Sequence, residues 1–196
     1  MNKSYTFTLI FMIVVALAFS TVLAVANFLA QPAIIANQEY ARQNAIVYAF
    51  DVPVSGTEKA DTEAAYATYV REHEQDGFVY YEHVTDSGET AGYAVYYEGS
   101  GLWGAIKGYL AVTPDLTTMQ GLVFLEQNET PGLGGRIDEP VFKEQFRGQS
   151  LVETVAYGDG IDAVTGATAS STAVLKIVNA VRSNELKKLE AILNEG

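Results

Sequence analysis

The sequence predicts an α+β domain, a mostly antiparallel sheet flanked by helices, tethered by a single N-terminal transmembrane helix. Three observations carry this prediction. Tyr5 to Ala30 is an apolar run without a charge. Between Phe78 and Leu125, short β-branched and aromatic runs alternate with turns rich in Gly, Asp and Pro. Apolar residues recur at helical spacing on either side of that region. The boundaries read as an anchor over residues 1–32, a helix and linker over 33–60, and the folded domain over 61–196.

For the anchor, roughly 24 residues at about 1.5 Å each reach about 36 Å, more than the ~30 Å hydrocarbon core. The run exceeds a signal-peptide core of about 7–15 residues, although Ala24-Val25-Ala26 offers a site for cleavage. Lys3 is the only basic residue before the run and none follows until Arg42. That asymmetry places the N-terminus inside and the domain outside the cytoplasm, as a single-pass protein of the inner membrane. Phe7-Thr8-Leu9-Ile10 is similar to the start of a type IV pilin or pseudopilin. Thr6 and Phe11, however, stand where pilins carry Gly and Glu.

Composition narrows the chemistry. A net charge of −12 argues against nucleic acid, whose phosphates call for an excess of Lys and Arg. With no Cys, the chain offers no disulfide, thiolate or Cys-ligated metal centre. His73 and His83 lack a metal-ligand spacing, so they read as surface or strand residues. Electrons handled here would need an organic cofactor.

In order, Ala33 to about Val52 reads as a helix leaving the membrane, and Pro53 to Asp61 as a turn or linker. A second helix starts at Asp61 and ends near Gly77. Phe78–Val84 and Gly92–Tyr97 form a hairpin about Asp86–Glu89. Tyr80, Tyr81, Tyr93, Tyr96 and Tyr97 are its cross-strand packing or, alternatively, an aromatic wall for a ligand. Gly108–Thr113 and Gly121–Leu125 are further strands. Two Gly-rich loops flank them, Gly99 to Gly104 with the only Trp (Trp103), and Glu129 to Arg136. Loops so placed suit a ligand site. Pro140–Arg147 is a short helix with Phe142 and Phe146 on one face. Leu151–Tyr157 reads as a strand, and the tail from Asn184 as a continuation of the last helix.

That last helix opens at Asp162-Ala163-Val164-Thr165-Gly166-Ala167-Thr168. Asp and Thr suit a helix entrance, where free N–H groups and the helix dipole hold a phosphate. Gly166 and Ala167 let a bulky ligand approach, and Thr168 offers a hydroxyl. These residues resemble the flavinylation motif of the FMN-binding domain family, Asp-x-x-Thr-Gly-Ala-Thr, whose last Thr bears FMN through a phosphoester bond.

The blocks Gly-Ser-Gly-Leu-Trp-Gly, Glu-Thr-Pro-Gly-Leu-Gly-Gly and Asp-x-x-Thr-Gly-Ala-Thr follow in that order. Together they resemble the FMN-carrying NqrC proteins of sodium-translocating NADH:quinone oxidoreductases and the RnfG proteins of Rnf electron transport complexes. The Leu-Trp-Gly block leans toward the first, while the short chain leaves both open. The resemblance implies a redox subunit with little activity alone, relaying electrons through covalent FMN beside other membrane subunits. A Mg²⁺-dependent flavin transferase would install the flavin. It also implies attachment at Thr168, with Asp162, Thr165, Gly166 and Ala167 around the phosphate. Trp103, Glu129, Thr130, Gly132 and Leu133 would lie near the flavin. Electron relay requires no catalytic acid–base pair and no metal ligand in this chain. Two alternatives are an FMN protein of another extracytoplasmic respiratory reductase and a structural pseudopilin without flavin.

Overall fold

The computed structural model describes residues 3–195, so Met1, Asn2 and Gly196, at the ends of the expected anchor and domain, lie outside the described residues. The chain divides into two compact units between Tyr40 and Ala41. The described residues of the first all lie in helix α1 (Lys3–Phe50), which runs on past Tyr40 and carries Pro32 within it. Leu9, Phe19, Leu23 and Phe28 are among its many exposed apolar side chains. A helix apolar on all sides needs an apolar surrounding, which a bilayer supplies. Among the described residues this is the one helix long and apolar enough to cross a membrane.

In the second unit, the last turns of α1 bury Ala45, Ile46, Val47, Ala49 and Phe50. The helix stops at Asp51, whose φ of 57° is left-handed. The Asp51 and Val52 N–H groups donate back to the Tyr48 and Val47 carbonyls at 3.1 Å each, closing the end as a left-handed cap does. Helix α2 (Lys59–Tyr69) begins where the Glu58 N–H donates to Asp61 Oδ2 at 2.9 Å.

Five strands follow: β1 (Val70–Gln75), β2 (Phe78–Val84), β3 (Thr90–Ser100), β4 (Ala105–Val112) and β5 (Met119–Glu126). They form one antiparallel sheet in sequence order. β1 corrects the expectation of a helix running to Gly77. Gln75 pairs with Phe78 across Asp76-Gly77, both at positive φ (52° and 75°), which is a two-residue hairpin turn. An Asp-Gly pair before a strand is a hairpin signal; the charged, mostly exposed Val70-Arg71-Glu72-His73-Glu74-Gln75 hid it. His73 packs flat on Tyr80 and bonds Glu82 Oε2 at 2.9 Å, and His83 packs against Phe50 and Tyr69.

β4 and β5 are covered on both faces, which is why their sequences are nearly continuous apolar runs. On one face Tyr109, Ala111, Val123, Tyr81 and Ala94 meet the end of α1 and α2. On the other Leu110, Val112, Leu122 and Phe124 meet Ile137, Phe142, Phe146 and helices α4 (Thr168–Ser183) and α5 (Glu185–Glu195). Tyr97 is fully buried there, its hydroxyl donating to the Val123 carbonyl at 2.9 Å. Burial drives its pKa well above the ordinary phenol value, so it stays neutral.

Three further expectations are corrected. The helix expected over 140–147 is one α-turn, α3 (Pro140–Lys143), followed by a 3-10 turn (Glu144–Phe146), although Phe142 and Phe146 do meet, edge to face, with centroids 5.3 Å apart. The tail is a separate helix, α5, because α4 ends at Asn184. Leu151–Tyr157 is no strand. Leu151 and Val155 are buried, which gives the strand-like alternation. The Leu151 N–H donates to the Thr117 carbonyl at 2.7 Å, but most of the other backbone bonds go to side chains of α4. Asn179 accepts from Val155 N–H and donates to its carbonyl, both at 2.9 Å. Arg182 donates to the Leu151 and Val152 carbonyls at 2.5 Å each. A periodic apolar pattern reports burial, not the partner that satisfies the backbone.

Candidate functional site

The fold brings the two Gly-rich loops and the start of α4 together, and the atom group that joins them is the carboxylate of Glu129. Glu129 is 4% exposed. Its Oε1 accepts the N–H of Leu102 at 2.7 Å and of Trp103 at 3.2 Å, in the hairpin loop between β3 and β4. Its Oε2 accepts the hydroxyl of Ser170, in the first turn of α4, at 2.5 Å. Its own N–H donates to Gln127 Oε1 at 2.9 Å. A buried carboxylate is tolerated when charge-assisted hydrogen bonds replace its water, and here they come from two segments distant in sequence.

Two glycines make the room. A Cβ on Gly134 would lie 2.5 Å from Ser170 Oγ and 2.8 Å from Glu129 Oε2. One on Gly101 would collide with Glu129 Oε1 and stand 2.9 Å from the Gly104 carbonyl. Gly132 differs: with φ of 73° and no protein atom within 4 Å of an added Cβ, it is required by backbone conformation. Gly134→Ala is therefore expected to lower the melting temperature more than Gly132→Ala. The first must displace a buried bonded pair, whereas the second costs about 1 kcal/mol of left-handed strain. Thermal melts of both variants check the order, and equal losses would contradict it.

The motif loop is held from beneath. Ala167 N–H donates to the Val164 carbonyl at 2.8 Å, and Ser171 Oγ donates to the Ala167 carbonyl at 3.0 Å while accepting from Val164 N–H at 3.2 Å. Arg136, paired with Glu139, donates to the Thr165 carbonyl at 3.1 Å and so ties the second loop to the third block. Asp162 is exposed and its N–H donates to Gln145 Oε1 at 2.7 Å. Thr165 and Gly166 are exposed, Gly166 at a φ of 83°. Ala167 is buried as the N-cap, without a side-chain cap, so the capping position falls two residues beyond Thr165 and no Asp or Thr caps the helix. Thr168 is the first residue of α4 and is exposed.

The other sequence-predicted residues lie on the two loops that Glu129 and Arg136 tie to this segment. Thr130 is exposed and its carbonyl accepts the N–H groups of Leu133 (3.1 Å) and Gly135 (2.9 Å). Leu102, Trp103 and Leu133 are 57%, 71% and 54% exposed. Leu133 Cδ2 stands 3.9 Å from the Cβ position of Gly166, which places the second loop against the third block. Large apolar side chains left to water on converging loops mark a surface that meets something apolar. A cavity of ≈ 540 Å³ lined by Phe124, Gln127, Asn128 and Asp138 lies beside the second loop, and Thr168 is not in its wall.

Ser170, Ser171, Gly101 and Arg136 are not singled out as site residues by the sequence reading. Two adjacent Ser at helix positions that face the core were the available signal, since buried hydroxyls need partners.

The arrangement fits a flavin mononucleotide. An exposed Thr hydroxyl stands at a helix start, where unpaired N–H groups and the dipole favour a phosphate. Open left-handed glycines adjoin it, and exposed apolar side chains suit a flat ring system. Comparison with known proteins agrees. Residues 101–183 match the FMN-binding domain family. The NqrC protein of the Na⁺-translocating NADH-quinone reductase of Pasteurella multocida is 35% identical over 102 residues, 45% of this chain and 39% of that protein. The RnfG protein of the ion-translocating oxidoreductase complex of Methanosarcina acetivorans is 34% identical over 118 residues, 59% of this chain and 63% of that one. The chain thus spans well under half the length of the bacterial relative and less than two thirds of the archaeal one. The fold matches the crystal structure of NqrC from Shewanella oneidensis with a TM-score of 0.64 at 21% identity, covering 74% of this chain and 91% of that one. It matches the corresponding reductase protein from Parabacteroides distasonis with a TM-score of 0.60 at 24% identity, covering 76% and 92%. The stretch that matches the FMN-binding domain family, residues 101–183, runs from the Leu102-Trp103 loop through the second loop to the end of α4.

Proposed function

We propose that the chain is a membrane-anchored flavoprotein subunit that relays electrons, through FMN bound covalently to Thr168, within an ion-translocating oxidoreductase complex. The observation that supports this is that Glu129 and Arg136 tie all three sequence blocks together at the start of α4, whose first residue is the exposed Thr168. Asp162, Thr165, Gly166 and Ala167 would surround the phosphate. Trp103, Thr130, Gly132 and Leu133 would border the ring. FMN supplies the redox chemistry, accepting and donating one or two electrons. The chain's own residues fix the group, leave an edge of it open and hold its place, which is what a relay asks of its protein.

The partners in this reading are further membrane subunits, against which α1 would pack, and a Mg²⁺-dependent flavin transferase for maturation. An NADH:quinone reductase and an Rnf-type complex both accommodate such a subunit. Coexpression with a flavin transferase tests the reading. The chain is expected to fluoresce as a flavoprotein on a denaturing gel, and a dark band would overturn covalent attachment.

The domain lies on the extracytoplasmic side in this proposal, since Lys3 precedes the span and no basic residue follows it before Arg42. A phosphatase fused after Gly196 is expected to be active and a cytoplasmic fluorescent fusion dark. The reverse pattern would invert the topology.

A further inference from the structure

We infer that Glu129 is a positioning residue: its buried carboxylate locks the Leu102-Trp103 loop and the first turn of α4 into one unit. Its significance for a flavin rests on the proposal above, whereas the lock itself belongs to the flavin-free chain.

Leu102 and Trp103 are more than half exposed, so little side-chain packing holds their loop in place. Within the loop, the Gly101 N–H donates to the Gly104 carbonyl at 2.7 Å, which closes the turn but does not anchor it to the rest of the domain. The anchor is the pair of N–H groups donated to Glu129 Oε1. The same side chain takes the Ser170 hydroxyl on its other oxygen, and Ser170 lies two residues beyond Thr168 on the same helix. One carboxylate therefore fixes the place of Trp103 relative to the helix start that carries Thr168. Both oxygens are engaged and the group is 4% exposed, which leaves it poorly placed to contact a ligand. Gly101 and Gly134 close over it, since a Cβ at either would strike the carboxylate. A rigid loop-to-helix spacing is the supporting shell a fixed cofactor needs.

The reach of the side chain is the property to vary. Glu129→Gln keeps an acceptor at Oε1 and an amide that can donate to Ser170 Oγ. Glu129→Asp keeps the charge but ends one methylene short, and Glu129→Ala removes the group. Hydrogen exchange at the Leu102 and Trp103 amides, with the emission anisotropy of Trp103, reads the lock on the flavin-free full-length chain in detergent. Trp103 is the only Trp, so its emission is unambiguous.

Glu129→Gln is expected to exchange within about threefold of the parent. Glu129→Asp and Glu129→Ala are expected to exchange on the order of 10- to 100-fold faster at those two amides, with lower anisotropy. Should Glu129→Ala fail to fold, the Gln and Asp pair still decides. Unchanged exchange in Glu129→Asp, or equal loosening in Gln and Asp, would overturn the lock. Failure of the flavin reading shows separately, as an unmodified Thr168 in flavin-transferase cells with the exchange pattern intact.

Discussion

Thr168→Val is expected to abolish covalent flavin while leaving the fold in place, the largest functional effect of any single change in this chain. Valine keeps the β-branched shape and loses only the acceptor oxygen. Thr168 is exposed, and its backbone carbonyl, which accepts the Thr172 hydroxyl at 2.8 Å, is retained. A surface change of this kind alters stability by about 0.5 kcal/mol or less. The variant should therefore melt with its parent, yet show no fluorescent band after coexpression with a flavin transferase. Full flavin loading in Thr168→Val would move the attachment elsewhere. A large fall in melting temperature would give Thr168 a structural role that its exposure does not suggest.

The largest expected effect on stability belongs to Arg147→Met. The Arg147 guanidinium donates to the Tyr48 carbonyl at 2.7 Å, the Ala49 carbonyl at 3.2 Å and the Gln120 carbonyl. It thereby caps the end of α1 and joins it to β5, with its Nε on Glu144 at 2.6 Å and its charge over the Tyr48 ring. Burial works against ionisation of Glu144, yet the Tyr48 hydroxyl and the Arg147 charge hold its carboxyl below the usual range. Removing the guanidinium strands several partly buried carbonyls and leaves Glu144 without this partner. A loss of about 3 kcal/mol is expected, lowering the melting temperature by roughly 10 °C in a domain of this size. Arg147→Lys should recover little of it, because one ammonium cannot span three carbonyls in a plane. A shift of only a degree or two would show that these carbonyls find water instead.

Much of this molecule is legible in the sequence because simple periodicities govern it. The charge-free run in α1, the hairpin strands β2 and β3, and the apolar runs of β4 and β5 follow from alternation, turn residues and length. What escaped was set by tertiary partners. The exposed edge strand β1 carries too little apolar signal to be separated from α2. The 151–157 segment takes most of its backbone bonds from Asn179 and Arg182, which no local pattern announces. The three blocks of the site can be read in order along the chain, but not the atoms that join them. Glu129 reads as a polar loop residue near a ligand until its carboxylate is seen between Leu102, Trp103 and Ser170. Arg136 gives no hint that it reaches Thr165. Local sequence shows which segments are unusual, and long-range hydrogen bonds decide how they serve one another.

The most direct measurement is mass spectrometry of the peptide containing Thr168, from protein produced with a flavin transferase. The expected result is a mass increase equal to FMN less one water, localised by fragmentation to Thr168. An unmodified peptide, or FMN found on another residue, would contradict the account.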